Sequence, residues 1–555
     1  MHLKHYYFTF IFCFVQIFIC VGKVYSFSDD LPITKVYFTF KPASADSLLK
    51  WNNDFQSRFE SNINPLSNRK FVLKSFLSIL PISVTNIADT FYTQQRESFF
   101  IEDLEELRVV LLDKELYSSV EYSISKTTEF EQEAEVILID RSTTTLKGSF
   151  YNGGGITVAQ FGIYDPDFSL TNLSLQALYR YRTENSIGSD LGYRISQDNL
   201  FTLPLTFTVD GSINSIKTKN SFTLSKPLYN KYQRWSGGLK YENESGSDFF
   251  FNDRTPILSP VSLQRTTVWG TWNYPENDQF LVTILYSNEN INRGNSVYTQ
   301  AFDNTSRLLF GVSSLKKNLL STSVVHKSLQ TVVTEGGWGT AILGRVFAPN
   351  NKSVNYIGGQ AERTIVKKGL YINATVSAGS GFDPQAIAAY TYQDFFGLLY
   401  GALSEDILIV SRIHQQKVWN WQSQFRQLIL DNESGLRGYQ ANNLIGENRA
   451  ILNLELRYIP TFSFGFVKAN PTVFFDGGTV FNAVVADAKF HHSIGVGLRF
   501  FSTTESSEKS LFRIDGIYNT LTNSFGLQFS VDDLFRFPTA SVRLPTVYGL
   551  DIDLE

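Results

Sequence analysis

Gly435-Leu436-Arg437-Gly438-Tyr439 is followed eleven residues later by Ala450-Ile451-Leu452-Asn453-Leu454-Glu455-Leu456-Arg457-Tyr458. In the second stretch Ala450, Leu452, Leu454, Leu456 and Tyr458 share one face, while Asn453, Glu455 and Arg457 share the other, because successive strand side chains point to opposite sides. An apolar face ending in tyrosine, opposite a face carrying both signs of charge, suits a membrane strand with lipid outside and a wet lumen inside. A half-buried strand of a soluble protein reads almost the same, so the neighbouring segments must decide.

Downstream lie Thr472-Val-Phe-Phe-Asp-Gly-Gly-Thr-Val-Phe481, Ile494-Gly-Val-Gly-Leu-Arg-Phe-Phe501, Leu511-Phe-Arg-Ile-Asp-Gly-Ile-Tyr518 and Asn523-Ser-Phe-Gly-Leu-Gln-Phe-Ser-Val531. With the Leu-Arg-Gly-Tyr loop, this ordered set resembles the C-terminal barrel of the outer-membrane assembly and secretion superfamily that includes BamA, TamA and the two-partner secretion transporters. In that family a [VL]RG[FY] loop folds back into the barrel, and strands with F-x-D-x-G, G-x-G-x-R and R-x-D patterns follow. The resemblance implies a mainly β chain: a 16-stranded transmembrane antiparallel barrel, with five strands after the loop, preceded by a small α+β POTRA-like periplasmic domain. It further implies that Gly435, Leu436, Arg437, Gly438 and Tyr439 form a lumenal loop, with Asp476 as the partner of Arg437. Phe474, Phe475, Gly477 and Gly478 would carry the barrel-strand motif, and Gly526, Phe529 and Val531 the terminal targeting strand.

Composition agrees with a membrane barrel. Aromatic residues make up 15% of the 555 and charged residues only 18%, so much of the surface must tolerate a non-aqueous neighbour. No apolar run after the N-terminus is long enough for a membrane helix, which leaves closed strands as the way to span a bilayer with every backbone group paired. Residues 1–26 read as a secretory signal peptide, with Lys4 in the n-region, an apolar core from Tyr6 to Val21 and Ser26 at the cut. Cys13 and Cys20 both lie in this segment, so a processed chain has neither a disulfide framework nor a thiolate metal site. Removing Lys4 and Lys23 from the 49 basic residues leaves 47 against 53 acidic ones, a net charge of −6. Without a basic block, nucleic acid is not an expected partner.

Residues 27–145 differ from the rest. Lys35-Val-Tyr-Phe-Thr-Phe40 looks like a strand; Leu48, Trp51, Phe55 and Phe59 recur at helical spacing, as do residues 71–80 and 101–116. Val120–Ile124 and Ala134–Ile139 then suggest a hairpin. Strand, helices and two strands is the order of a POTRA module. The barrel is expected over 150–535, after a hinge or plain linker at Tyr151-Asn-Gly-Gly-Gly155, with about a dozen alternating runs before the loop. Residues 536–555 form a C-terminal tail. That tail is unexpected, because outer-membrane strands usually end the chain on an aromatic residue, and Tyr548–Leu554 competes for the place of last strand.

The sequence holds no G-x-S-x-G elbow, P-loop or HExxH, so neither a catalytic site nor a metal or cofactor site is expected. Adjacent His491 and His492 would point to opposite faces of a strand and could not share a metal. The expected function is that of a bacterial outer-membrane barrel with its POTRA-like domain in the periplasm, assisting insertion or translocation of other polypeptides. Its partners would be outer-membrane lipids, unfolded or extended client polypeptides and accessory periplasmic or outer-membrane proteins. Two alternatives stay open: a two-partner secretion transporter for one dedicated client, and a surface barrel or passive pore that handles none.

Overall fold

The computed structural model describes residues 33–41, 59–62, 104, 108, 117–126 and 132–140. From 144 to 548 it describes all but 154, 169–172, 184–187, 199, 201–204, 229–232, 253–254, 276–278, 295–301, 323–330, 350–352, 420–427, 433, 441–443, 460–466, 483–487, 503–509, 531–534 and 536–543. The chain divides into two compact units.

The N-terminal unit contains a four-stranded sheet of β1 (Ile33–Lys41), β2 (Phe59–Asn62), β3 (Tyr117–Lys126) and β4 (Gln132–Asp140). Its order is β2-β1-β4-β3, with β1 parallel to β4 and the other pairs antiparallel. Phe59, expected on a helix, opens β2 instead, and β3 and β4 form the hairpin. Leu104 and Arg108 are helical; the remainder of the expected helices lies outside the described residues.

The second unit is a closed antiparallel barrel. Its first ten staves are β5 (Thr145–Gly153), β6 (Ile156–Phe168), β7 (Leu173–Arg182), β8 (Gly188–Gln197), β9 (Thr206–Asn214), β10 (Lys217–Lys226), β11 (Trp235–Asn252), β12 (Thr255–Pro275), β13 (Gln279–Arg293) and β14 (Ser306–Thr322). There follow β15 (Thr331–Phe347), β16 (Val354–Lys367), β17 (Leu370–Phe382), β18 (Ala388–Ala402) and β19 (Ile407–Trp419). A short separate pair, β20 (Leu428–Leu430) and β21 (Leu444–Gly446), interrupts the wall. The wall resumes with β22 (Asn448–Tyr458), β23 (Val467–Phe481), β24 (His491–Ser502), β25 (Ser510–Asn519) and β26 (Ser524–Ser530), and β26 closes it by pairing with β5.

The closed sheet therefore has 20 strands, not the 16 expected from the family resemblance. The five staves after the loop match that expectation; the surplus lies before it. One source is β5, whose Leu146 and Phe150 face outward within a stretch read partly as a hinge: pairing with β6 continues to Gly153↔Ile156, and Gly155 adopts φ +78° in the hairpin turn. Another is β10, where Thr218 and Asn220 stand on one face and Ser221 and Thr223 on the other and blur the period of two.

Polarity fixes which way the wall faces. Leu308, Phe310, Leu343, Phe347 and Ile357 are exposed on the outside, whereas Arg307, Ser313, Thr340, Gln360 and Glu362 on the same staves are buried inside. An apolar exterior around a polar interior is the inverse of a soluble barrel and the pattern of a membrane one. Trp235 and Trp272 are register partners, Tyr274 and Phe280 are another such pair, and all four are exposed near one rim, where amphipathic rings favour the lipid–water boundary.

Candidate functional site

Between β19 and β22 the chain turns into the lumen. Leu430, Leu436, Tyr439 and Leu444 pack with Ile451, an inward residue of β22. Gly478 on β23 leaves the room this needs, since a Cβ there would meet Leu430 Cδ1 at 3.1 Å. The backbone turns at Gly435 (φ +115°) and Gly438 (φ +83°), conformations that L side chains rarely adopt. Leu436 N donates to Asp431 O at 2.8 Å and Gly438 N to Asn432 Oδ1 at 3.0 Å, so the loop satisfies part of its own backbone.

Arg437 is carried by this turn to a position with 0% exposure. Its Nε and Nη2 donate to Asp476 Oδ2 and Oδ1 at 2.6 and 2.9 Å, and Nη1 donates to Glu455 Oε1 at 2.7 Å. Asp515 Oδ2 lies 3.5 Å from Nη1. The guanidinium also lies over the Phe474 ring, 3.5 Å from its centroid, which suits the planar, weakly hydrated arginine better than an ammonium. Burial alone would lower the arginine's pKa; Asp476 and then Glu455 outweigh it and hold the group above its ordinary value.

The network continues into the wall. Arg499 donates to Glu455 at 2.7 Å and also pairs with Asp515, and Arg457 donates to Glu455 at 2.8 Å. Asn453 Nδ2 serves both Asp476 Oδ1 and Gly435 O, at 2.7 and 2.6 Å. Asn519 Nδ2 donates to Gly438 O at 2.9 Å, and Tyr439 gives its hydroxyl to His492 O at 3.1 Å. The loop is thus fastened to β22, β23, β24 and β25, one stave short of the closure.

The remaining expected site residues are placed as follows. Phe475 faces outward and stacks on His492, and Gly477 lies beside Phe490. His491 faces the lumen against Tyr439, so the two histidines diverge. Gly526 has open space around it, and Phe529 points outward; Val531 lies outside the described residues. Glu455, Asp515, Arg499, Asn453 and Asn519 had not been singled out as partners of the loop. The signal was present: Arg499 ends Gly495-x-Gly497-x-Arg499 and Asp515 ends Arg513-x-Asp515, and both fall at lumen-facing positions of their strands.

At the closure, the described register of β26 on β5 includes Phe529↔Asn152 and Ser530↔Tyr151. Continuing that register sets Gln528 opposite Gly153 and carries Ser524–Leu527 past it, where β5 has already turned into β6. Among the described residues, the outer edge of these four therefore has no β5 partner, and Phe525 is 86% exposed. The described residues of β26 number seven, against 21 in β12.

No family model and no curated protein matches the sequence. Solved structures do match. The chain is similar in structure to BamA and CdiB barrels. BamA from Haemophilus ducreyi lacking POTRA domains 1-3 aligns at 12% identity and a TM-score of 0.42, covering 80% of this chain and 81% of that one. CdiB from Acinetobacter baumannii aligns at 10% and 0.44, covering 80% and 70%. CdiB from Escherichia coli aligns at 11% and 0.42, covering 80% and 73%.

Proposed function

We propose that this chain is an outer-membrane barrel that helps other polypeptides enter or cross the membrane, and that the β5–β26 closure is its working edge. The overhang of Ser524–Leu527 past the turn from β5 to β6 carries this reading. A strand edge without a partner is a template for another strand, and backbone pairing accepts clients irrespective of side chain. The lumenal loop supports the same reading from the other side. By tying β22 to β25 into one braced block it confines any opening to β26, the stave it does not hold.

In this reading the N-terminal sheet is the POTRA-like periplasmic module. Its edges are β2 and β3, and β3, with ten residues, is the longer template for an extended client. The test is a cysteine pair at Tyr151 and Ser530, which sit opposite one another. The oxidised pair is expected to stay folded and heat-modifiable yet to stop supporting the insertion of other barrels, with recovery on reduction. Full activity through a closed disulfide would refute the edge mechanism. Depletion separates the alternatives: general loss of outer-membrane barrels marks assembly, loss of one secreted protein marks two-partner secretion, and no change marks a passive barrel.

A further inference from the structure

Beyond Ser530, the described residues Phe535 and Leu544–Tyr548 are held inside the cylinder. Phe535 is 2% exposed and packs against Leu398, Leu408, Val410 and Ile459, with Tyr400 donating its hydroxyl to Phe535 O at 2.7 Å. These residues lie where β19 begins and where β18 and β22 end, at one rim. Farther along, Leu544–Tyr548 is again inside, now toward the opposite rim. Val547 is 1% exposed among Leu309, Ile342, Val346, Val354 and Tyr356, all inward positions of β14 to β16. Tyr548 N donates to Tyr356 Oη at 3.0 Å, and its hydroxyl donates to Gln360 Oε1 at 2.8 Å. Pro545 occupies the space in front of Gly311, where an added Cβ would stand 2.6 Å from its Cγ. Tyr548–Leu554 is thus no rival last stave at its described residue, Tyr548.

This part of the wall, like the rim around Phe535, breaks the rule that most of the interior obeys. A lumen facing water needs polar side chains, yet β14 to β16 turn a contiguous apolar patch inward and cover it with five residues of their own chain. Proline removes one backbone donor, and Pro545 and Val547 seat the segment by apolar contact, with Tyr548 adding its two hydrogen bonds. Such a fit is reversible and selects chemical character: an extended peptide with a small apolar residue followed by an aromatic that bears a hydroxyl.

We propose that Leu544–Tyr548 is a tethered stopper seated in a lumenal peptide-binding site, and that an extended apolar and aromatic client segment displaces it. The displacement clause rests on the transport reading above; the stopper does not. Tethering gives the segment an effective concentration in the millimolar range, so a free peptide competes poorly and only a client already held at the barrel displaces it.

Planar-bilayer conductance of the purified full-length chain tests this without any client. Val547→Asp places a charge in the apolar patch and is expected to raise conductance several-fold with an unchanged heat-modifiable band. The pair Gly311→Cys and Pro545→Cys locks the segment, because the Cβ positions are 3.4 Å apart, close to disulfide reach; the oxidised form is expected to stay at low conductance and reduction to restore opening events. A synthetic Leu-Pro-Thr-Val-Tyr peptide should then lower the conductance of V547D, and a scrambled peptide should not. Equal conductance of V547D and the oxidised pair, or failure of the disulfide to form, would overturn the stopper. An open V547D channel indifferent to the peptide would overturn the binding site. Neither result bears on the Tyr151–Ser530 test, so failure of this proposal and failure of the transport reading remain distinguishable.

Discussion

Arg437→Ala is the sharpest perturbation of the lumenal loop. The change leaves Glu455 with Arg457 and Arg499, but strips Asp476 of its two guanidinium bonds and leaves it only Asn453 Nδ2. Asp476 is 0% exposed. Removing one partner of a buried pair costs ~3–5 kcal/mol, most of it from the uncompensated charge, whereas a solvated pair would return ~0.2–1 kcal/mol. At ~1.4 kcal/mol per factor of ten, the ratio of docked to undocked loop should fall between about a hundredfold and a few thousandfold.

Docking is readable through Leu436→Cys, a position with 0% exposure in a chain whose own cysteines lie at 13 and 20. Labelling by an impermeant maleimide is expected to be slow with Arg437 present and faster by at least two orders of magnitude in R437A. Arg437→Lys should fall between, because a point ammonium cannot bridge both Asp476 oxygens and Glu455 together. Asp476→Asn added to R437A should restore much of the protection, since a neutral amide needs no cation. Labelling of R437A within threefold of the parent would refute the buried-network account, and so would a double variant no better protected than the single one.

Further outcomes follow from the same geometry. Gly438→Ala combines a left-handed φ with a Cβ 2.7 Å from Ile517 Cγ2, so it should undock the loop by the same labelling assay although it removes no charge. Val496 is 62% exposed on the outer face; Val496→Arg should cost ~2–4 kcal/mol in urea titrations of the chain folded into bilayers, and no loss there would argue against lipid contact. Trp338 donates to Glu362 Oε2 at 3.1 Å and Asn373 donates to Oε1 at 3.1 Å, so Glu362→Leu should lower the urea midpoint by stranding both donors inside, while Glu362→Gln should retain most of it.

The segments that could be read from sequence are those whose two faces differ most. In β22 each outward residue from Ala450 to Tyr458 is apolar, and Asn453, Glu455 and Arg457 all point inward, so the period of two gives the strand, its orientation and its lumen face together. In β10, by contrast, threonine and other polar residues occupy both faces, and nothing in Lys217–Lys226 announces a boundary or a direction. Strand number fails for that reason, and the family count of sixteen filled a gap that periodicity had left. The partners of Arg437 were obscure for a different cause. Glu455, Asp476, Arg499 and Asp515 come from four staves, and their convergence depends on inter-strand register, which no single stretch encodes.

The larger strand number also explains why the lumen holds two fillers. Staves ~4.8 Å apart and tilted by ~40° close a circle about 32 Å across for sixteen and about 40 Å for twenty, which enlarges the cross-section roughly 1.6-fold. The loop bearing Arg437 stands on β22 to β25 and leaves the inner face of β14 to β16 uncovered. That face is where Leu309, Ile342, Val346 and Val354 turn inward and where Pro545 and Val547 cover them. A lumen widened by four staves without a second filler would expose this apolar patch to water and leave an open channel. Reducing the patch and releasing the tail together should therefore be better tolerated than releasing the tail alone: Leu309→Thr with Ile342→Thr is expected to recover part of the thermal stability lost in V547D. If the triple variant is less stable than V547D, the patch is held by something other than its cover.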